Sequence, residues 1–373
     1  MTIEGTGEAS AIPGAVGAQR GAVGVICGAV GVRSVTSRVV TMTEEAQGSA
    51  RPAGSKSVAP QDPDTAQAPD SAAQAPDRAE RTDSAERTES AKAAKKRRRR
   101  EPPPDPTPLY GLIDAHTHLA ACGGRSPETV RAIVDHAESV GVETVITVAD
   151  DMVDARWAVS AADWDDRVYA AVALHPMHAD DLDDATSREL AQMAEHPRVV
   201  AVGETGLDYY WPARSDDCAK PEIQHEAFRW HIRLAKSIGK PLMIHNREAD
   251  RDVLDILADE GAPDTVIMHC FSGDQNVARE CVERGYYLSF AGTVSFANAS
   301  SLRDAARVVP DELILVETDA PFLTPDPYRG QPNQSYCLPY TARSLASTRG
   351  VDAESFGRTL GDNARRAYQL PLR

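Results

Sequence analysis

The stretch "GLIDAHTHLA", Gly111–Ala120, carries an apolar segment straight into Asp114-x-His116-x-His118. Side chains alternate across a β-strand, so the spacing predicts Asp114, His116 and His118 on one face and Ile113, Ala115 and Leu119 on the other. Three titratable groups leaving a buried strand on one side are costly unless something compensates them. A metal ion, or water at the mouth of a site, is the usual compensation, whereas a lone histidine is more often a satisfied core residue. The rest of the chain has to decide between these.

Downstream, apolar runs that read as strands alternate with amphipathic stretches. Strands are expected at "LYGLIDAH" (109–116), "VETVITVA" (142–149), "RVYAAVAL" (167–174), "RVVAVGE" (198–204), "PLMIH" (241–245), "TVIMH" (265–269), "YYLSF" (286–290) and "LILVETD" (313–319). Helical periodicity falls near 127–140, 151–162, 187–195, 222–238, 248–260, 274–284 and 299–307, with two more helices after Asn333. Near-continuous apolar strands separated by helices indicate a parallel sheet covered on its faces. Eight such units in about 260 residues fit an α/β fold of the (β/α)8 TIM-barrel type better than an open sheet.

Barrels of this type build their sites at the carboxyl ends of the strands. There the sequence delivers His116 and His118 (strand 1), His175 (strand 3), Glu204 (strand 4), His245 (strand 5), His269 (strand 6) and Asp319 (strand 8). Any one of these suits a solvated strand end, but six strands converging on one rim is not expected by chance. His178, His196, His225 and His231 fall in loops or helices and read as surface or packing residues. Imidazole and carboxylate ligands suit two divalent ions, whether Zn, Mn, Co or Mg. His116, His118, Asp319 and one oxygen of Glu204 are placed to hold the first. His245, His269 and the other oxygen of Glu204 are placed to hold the second, with Glu204 bridging. Such ions acidify a shared water, whose proton Asp319 is suited to take. Asp114, two residues before the first ligand, is expected to orient a histidine ring. Arg247 suits an anionic oxygen such as a phosphate, and His175, Asn333 and Arg329 are further candidate substrate contacts.

The totals narrow the partners. A formal net charge of −16 contains a run of seven cations, Lys92, Lys95, Lys96 and Arg97–Arg100, so everything else carries −23 (−16 less the +7 of the run). A body this acidic excludes a broad basic face for duplex DNA; a polyanion has to be met locally, by metal ions and a few cations. Residues 1–106 read as a disordered low-complexity extension, with near-repeats of "AQAPD" and "AERT", ahead of a folded domain at 107–373. The basic run 92–100 is a solvated tail or a tether to nucleic acid. Met42 opens "MTEEAQGS" and is a candidate start. The flanks of "GAVGVICGAVGV" (21–32) are wrong for a signal peptide, and no run is long enough to span a membrane. Six cysteines without framework spacing read as free thiols in a reducing cytoplasm.

In order, the motifs are Asp-x-His-x-His, Gly-Glu-x-Gly-Leu-Asp, Pro-x-x-Ile-His-x-Arg, His-Cys-Phe-Ser-Gly and Glu-Thr-Asp-Ala-Pro. This set resembles the TatD family of metal-dependent deoxyribonucleases over roughly 109–370. The resemblance implies a TIM barrel of the metallo-hydrolase superfamily that hydrolyses DNA phosphodiester bonds. It implies 3′-5′ exonuclease action on single strands or 3′ ends, with the ligand scheme carried onto His116, His118, Glu204, His245, His269 and Asp319. The chain departs from the family's Arg-Gly-x-x-Asn-x-Pro at "RGQPNQS", where Ser335 stands in place of proline.

Three rivals differ in chemistry. Binuclear amidohydrolases often bridge their metals with a carboxylated lysine at the end of strand 4, where this chain has Glu204; its nearest lysines are Lys220 and Lys240. A deacylase of mischarged tRNA is compatible with the same metal site. A non-enzymatic scaffold binding nucleic acid through 92–100 would survive loss of Glu204, whereas a hydrolase would not.

Overall fold

Apolar and β-branched residues fill eight strands that are covered on both faces, as a parallel sheet requires. The computed structural model describes residues 101–215 and 218–371; the basic run, Met42 and the rest of the extension lie outside the described residues. The strands are β1 (Leu112–Thr117), β2 (Val142–Val148), β3 (Val168–Val172), β4 (Val199–Asp208), β5 (Leu242–Arg247), β6 (Val266–Met268), β7 (Tyr287–Phe290) and β8 (Ile314–Val316). They pair in chain order, all parallel. Beyond the strand ends, Asp319 N–H donates to His116 O at 3.0 Å and His118 N–H to Ala320 O at 2.8 Å, which brings the first and last strands together. The fold is the expected TIM barrel.

The helices are α1 (Pro127–Ser139), α2 (Met152–Trp164), α3 (Asp184–Ala194), α4 (Pro221–Ile238), α5 (Asp250–Glu260), α6 (Gln275–Glu283), α7 (Ser300–Val308), α8 (Leu338–Arg349) and α9 (Ala353–Ala367). Their starts follow from local chemistry. Ser126 and Thr129 form a capping box, and Asp151, Asp183, Asp274 and Asp352 accept amides of the first turns. Among the described residues no helix is long and apolar enough to cross a membrane. Helix α9 lies across the foot of the barrel: Tyr368 Oη donates to Ala115 O at 2.8 Å, and a Cβ on Gly361 would overlap the Gly111 carbonyl.

Two β-bulges aim the site. On β1 three steps from Asp114 to Thr117 span the two from Val145 to Thr147 on β2, and on β4 three steps from Val202 to Thr205 span the two from Leu242 to Ile244 of β5. An extra residue breaks the two-residue alternation and re-aims the side chains after it. The first bulge corrects the expectation that Asp114, His116 and His118 share a face. Ile113 and Ala115 pack in the inner cluster with Met243, so Asp114 points to the opposite side, while His116 Nδ1 meets Met243 Sδ at 3.2 Å. The second bulge falls at Gly203–Glu204, where a Cβ on Gly203 would overlap Met243.

The folded domain also begins earlier than residue 107. Pro103 and Pro106 are buried, and the segment is strapped between α1 and α8. Tyr336 Oη donates to Pro103 O (2.7 Å), Tyr340 Oη to Pro104 O (2.9 Å), and Asp105 Oδ1 lies 2.7 Å from His136 Nε2. These contacts, which no periodicity announces, make residues 103–106 part of the domain. A chain starting at 107 is expected to be less stable than one starting at 101 by about 2 kcal/mol, a Tm lower by roughly 4–8 °C, measured by thermal unfolding.

His231 packs as expected from its place in a helix. Its Nε2 accepts the Leu174 amide at 3.2 Å and its Nδ1 lies 2.7 Å from Ala227 O, which fixes the neutral ring. Burial lowers its pKa to about 4, against the carbonyl's opposing pull. The folded state therefore binds fewer protons than the unfolded state between pH 6.5 and 4. The stability this group contributes is complete above pH 6.5 and declines by about 3 kcal/mol as pH falls through that window. Unfolding of His231→Gln is expected to show a correspondingly shallower pH dependence there.

Candidate functional site

The six residues expected to hold metal meet at the carboxyl ends of the strands. Glu204, its side chain 4% exposed, is at the centre. Its Oε1 lies 2.5 Å from His245 Nδ1, 3.3 Å from His269 Nε2 and 3.7 Å from His175 Nε2, and its Oε2 lies 3.4 Å from His116 Nε2. Asp319 Oδ1 is 3.7 Å from His116 Nε2 and 3.5 Å from His118 Nε2, and those two nitrogens are 3.2 Å apart. His116, His118 and Asp319 form one compact group, and His175, Glu204 and His245 another. His269 stacks on His116 with ring centroids 3.5 Å apart and stands 6.4 Å from His245, so its link to His245 runs through Glu204 Oε1.

Outer partners decide which nitrogen each ring turns inward. His116 Nδ1 faces the Met243 thioether (3.2 Å), His245 Nε2 faces Asp208 Oδ2 (3.1 Å), His269 Nδ1 faces Glu317 Oε1 (2.8 Å) and His118 Nδ1 faces Asp150 Oδ1 (3.7 Å). The hydrogen bonds of His116 and His245 hold a proton on the outer nitrogen and turn the inner one toward the cluster, and the Glu317 and Asp150 carboxylates favour the same orientation electrostatically in His269 and His118. His175 is reversed: its Nδ1 accepts the Met177 amide at 3.2 Å, so Nε2 carries the proton and points inward. Four rings offer a nitrogen to a cation; the fifth offers a hydrogen.

Without cations, the electrostatics leave His116 and His175 neutral and place a second proton on the inward nitrogens of His118, His245 and His269. Burial would raise the Glu204 pKa, yet His269, His116 and His245 hold it well below the usual carboxylate range. Burial and neighbouring His269 push His116 well down, and burial with His245 takes His175 down to about 3. His269 is driven the other way, to about 10: burial opposes protonation, but Glu317 and Glu204 override it. In His118 and His245 burial is likewise overcome, by Asp319 and Asp208 respectively, raising both to about 9. A buried cluster of lone pairs and carboxylates that gathers protons at neutral pH is chemically suited to exchange them for divalent cations.

Several assignments need correction. Asp114 orients no ring: its carboxylate accepts Thr318 N–H (2.8 Å) and Thr318 Oγ1–H (2.6 Å), and so fixes the residue before Asp319. Burial raises its pKa to about 7, against the Thr318 hydrogen bonds. Asn333 is 2% exposed and braces the loop, donating to Thr318 O (2.9 Å) and Phe322 O (2.5 Å), so it is no substrate contact. Arg329 stacks on Phe296 at 4.3 Å and touches no member of the cluster. Arg247, at the end of β5, lies 3.8 Å over the Tyr210 ring. Asp208, Glu317 and Asp150 were not foreseen. Asp208 was hidden because the bulged β4 runs four residues past its expected end; Gly203 and Gly206 within an apolar strand are the signal for such a bulge.

Comparison with known proteins places the chain in a class. A family model described as TatD related DNase matches residues 113–369, and the chain belongs to that family. It is similar to an "uncharacterized metal-dependent hydrolase TatD" of Mycobacterium tuberculosis, 60% identical over 259 residues, covering 69% of this chain and 98% of that one. Another relative, from Musicola paradisiaca, is named "3'-5' ssDNA/RNA exonuclease TatD"; it is 31% identical over 247 residues, 64% of this chain and 91% of that protein. The solved structure of YJJV, a TatD homolog from Escherichia coli, superposes with a TM-score of 0.64 at 28% identity, covering 70% of this chain and 99% of that one. The chain is thus a TatD-family metal-dependent hydrolase.

Asp208 also accepts the Tyr210 and Trp211 amides, both at 2.9 Å, besides facing His245. Asp208→Ala is expected to destabilise the metal-free protein by about 1–3 kcal/mol, read from denaturant midpoints, because it removes the acceptor shared by two backbone amides and His245.

Proposed function

We propose that the protein hydrolyses phosphodiester bonds of single-stranded nucleic acid from a strand end, as a two-metal exonuclease. The observation that carries this is the opposed set of histidines around Glu204. His116, His118, His245 and His269, with Glu204 and Asp319, are the groups to hold two divalent cations, and His175 stands among them as a hydrogen-bond donor. The donor set fits Zn, Mn, Co or Mg.

When bound, the cations supply positive charge to phosphoryl oxygens and acidify a water. The protein's own groups do the rest. Asp319 Oδ1, beside His116 and His118, takes the proton of the attacking water. His175, held neutral, donates Nε2–H to a phosphoryl oxygen on the His245 side, and Arg247 meets the remaining phosphate charge. The printed name of the Musicola relative supports this substrate class.

A lysine-bridged amidohydrolase is disfavoured by the lysines themselves. Lys240 donates to the carbonyls of Ala194, His196 and Val199, outside the cluster, and Lys220 begins α4.

The test is cleavage of 3′- and 5′-labelled oligonucleotides by the full chain after chelation, with Mg, Mn, Co or Zn restored one at a time. Activity is expected to vanish on chelation, to return with at least one of these ions, and to fall at least about 10³-fold in Glu204→Gln. Cleavage indifferent to metal, or intact in Glu204→Gln, would remove the proposal. His175→Ala is expected to keep its bound metal while losing about 10²-fold in kcat, whereas His245→Ala loses metal, both read by elemental analysis beside kinetics.

A further inference from the structure

Two exposed aromatic rings stand at the rim beside the cluster, and neither has a part in the chemistry above. Trp211 is 40% exposed and Phe322 is 56% exposed. Scattered exposed apolar residues are normal and need no function. These two differ from Val351 or Ile223 because each is rigidly tied to a residue of the cluster. The Trp211 amide is held by Asp208, the carboxylate facing His245. The Phe322 amide donates to Asp319 O at 2.9 Å, its carbonyl is gripped by Asn333, and its ring sits 6.1 Å from His118.

The loop carrying Trp211 is stiffened in an unusual way. Arg247 Cζ and Arg214 Cζ lie 3.8 and 3.7 Å from the Tyr210 centroid. Two guanidinium groups at that distance cannot share one face, so Tyr210 is clamped between them. Trp211 packs edge-on against Tyr210 at 5.2 Å, with Arg247 Cζ 5.7 Å from its ring. A flat indole, a guanidinium and the catalytic cluster therefore lie side by side: a base, a phosphate and a reaction centre in the order a nucleotide presents them.

β4 and β8 are four strands apart in an eight-stranded barrel, so the two rings flank the cluster from opposite sides. We infer that Trp211 and Phe322 are base-stacking platforms for the two nucleotides on either side of the scissile phosphate, with Arg247 on the phosphate at the Trp211 side. Bases received on opposite walls must be splayed apart, which a paired or stacked strand resists, so the platforms select unpaired ends without reading sequence. This rests on the nuclease proposal and adds its substrate-selecting residues.

The experiment compares the full-length metal-loaded protein with Trp211→Ala, Phe322→Ala, Trp211→Phe and, as an exposed apolar control, Val351→Ala. Substrates are a hexanucleotide and the same strand with its two terminal bases removed. Each alanine variant at the platforms is expected to raise KM for the natural strand about 5- to 100-fold, the range stacking sustains, and to erase the preference over the abasic strand. Trp211→Phe retains most of that preference, and Val351→Ala behaves as wild type. Tryptophan fluorescence quenched by the hexanucleotide in chelator, and unquenched in Trp211→Phe, reports stacking independently of turnover. If wild type cleaves the hexanucleotide but the alanine variants keep its KM and the abasic preference, the platforms are overturned while the nuclease survives. If wild type cleaves neither strand, both fall together.

Discussion

Everything at the barrel's mouth is organised by one buried carboxylate. Glu204 lies within 4 Å of four imidazoles, from β1, from β5 and from just past the ends of β3 and β6, with almost no access to water. Such a group survives in a core only if its charge is matched, and here the matching charges arrive on different strands. The bulges that break β1 and β4 put His116 and Glu204 in each other's reach. The backbone shows the same demand: Glu248, Cys270 and Asp319, one, two and three residues past β5, β6 and β8, all adopt positive φ (58°, 42° and 51°), which non-glycine residues rarely do. Conformational cost is concentrated where the rings and carboxylates must converge.

The outer partners of the rings turn this cluster from a knot of charge into a directional site. A histidine surrounded by acceptors and one braced by a donor look alike in sequence, yet they face inward with opposite chemistry. Asp208, Glu317 and Asp150 draw the outer nitrogens of His245, His269 and His118 and turn the inner ones to the cluster, where a cation can replace their protons, while a single backbone amide, that of Met177, makes His175 a proton donor. Membership of the TatD family agrees with the first role and with an enzyme that depends on metal.

Much of this was legible in the sequence, for physical reasons. Strand–helix alternation survives any tertiary context when both sheet faces are buried, so all eight strands and nine helices of the described residues fall where periodicity puts them. The polar strand ends were legible because His and Glu stand out against valine and alanine. Asp208, Glu317 and Asp150 were not, since a carboxylate near a strand end reads as solvated until the neighbouring strand's register is known. Asp114 and Asn333 read differently in the sequence for a similar reason: a bulge turns His116 and His118 away from the side of the first, and a loop folds back over the second. The strap at 103–106 was missed because prolines in an extended segment carry no periodicity, and only Tyr336, Tyr340 and His136 reveal what they bind.

The central claim, that the Glu204 cluster is a cage for divalent cations, is tested most directly by anomalous diffraction from crystals of the protein soaked with Mn or Zn. Two peaks are predicted, one on either side of Glu204, the first against His116, His118 and Asp319 and the second against His245 and His269. A map with Glu204 bonded to the imidazoles alone and no peak beside it, at saturating metal, would contradict the account.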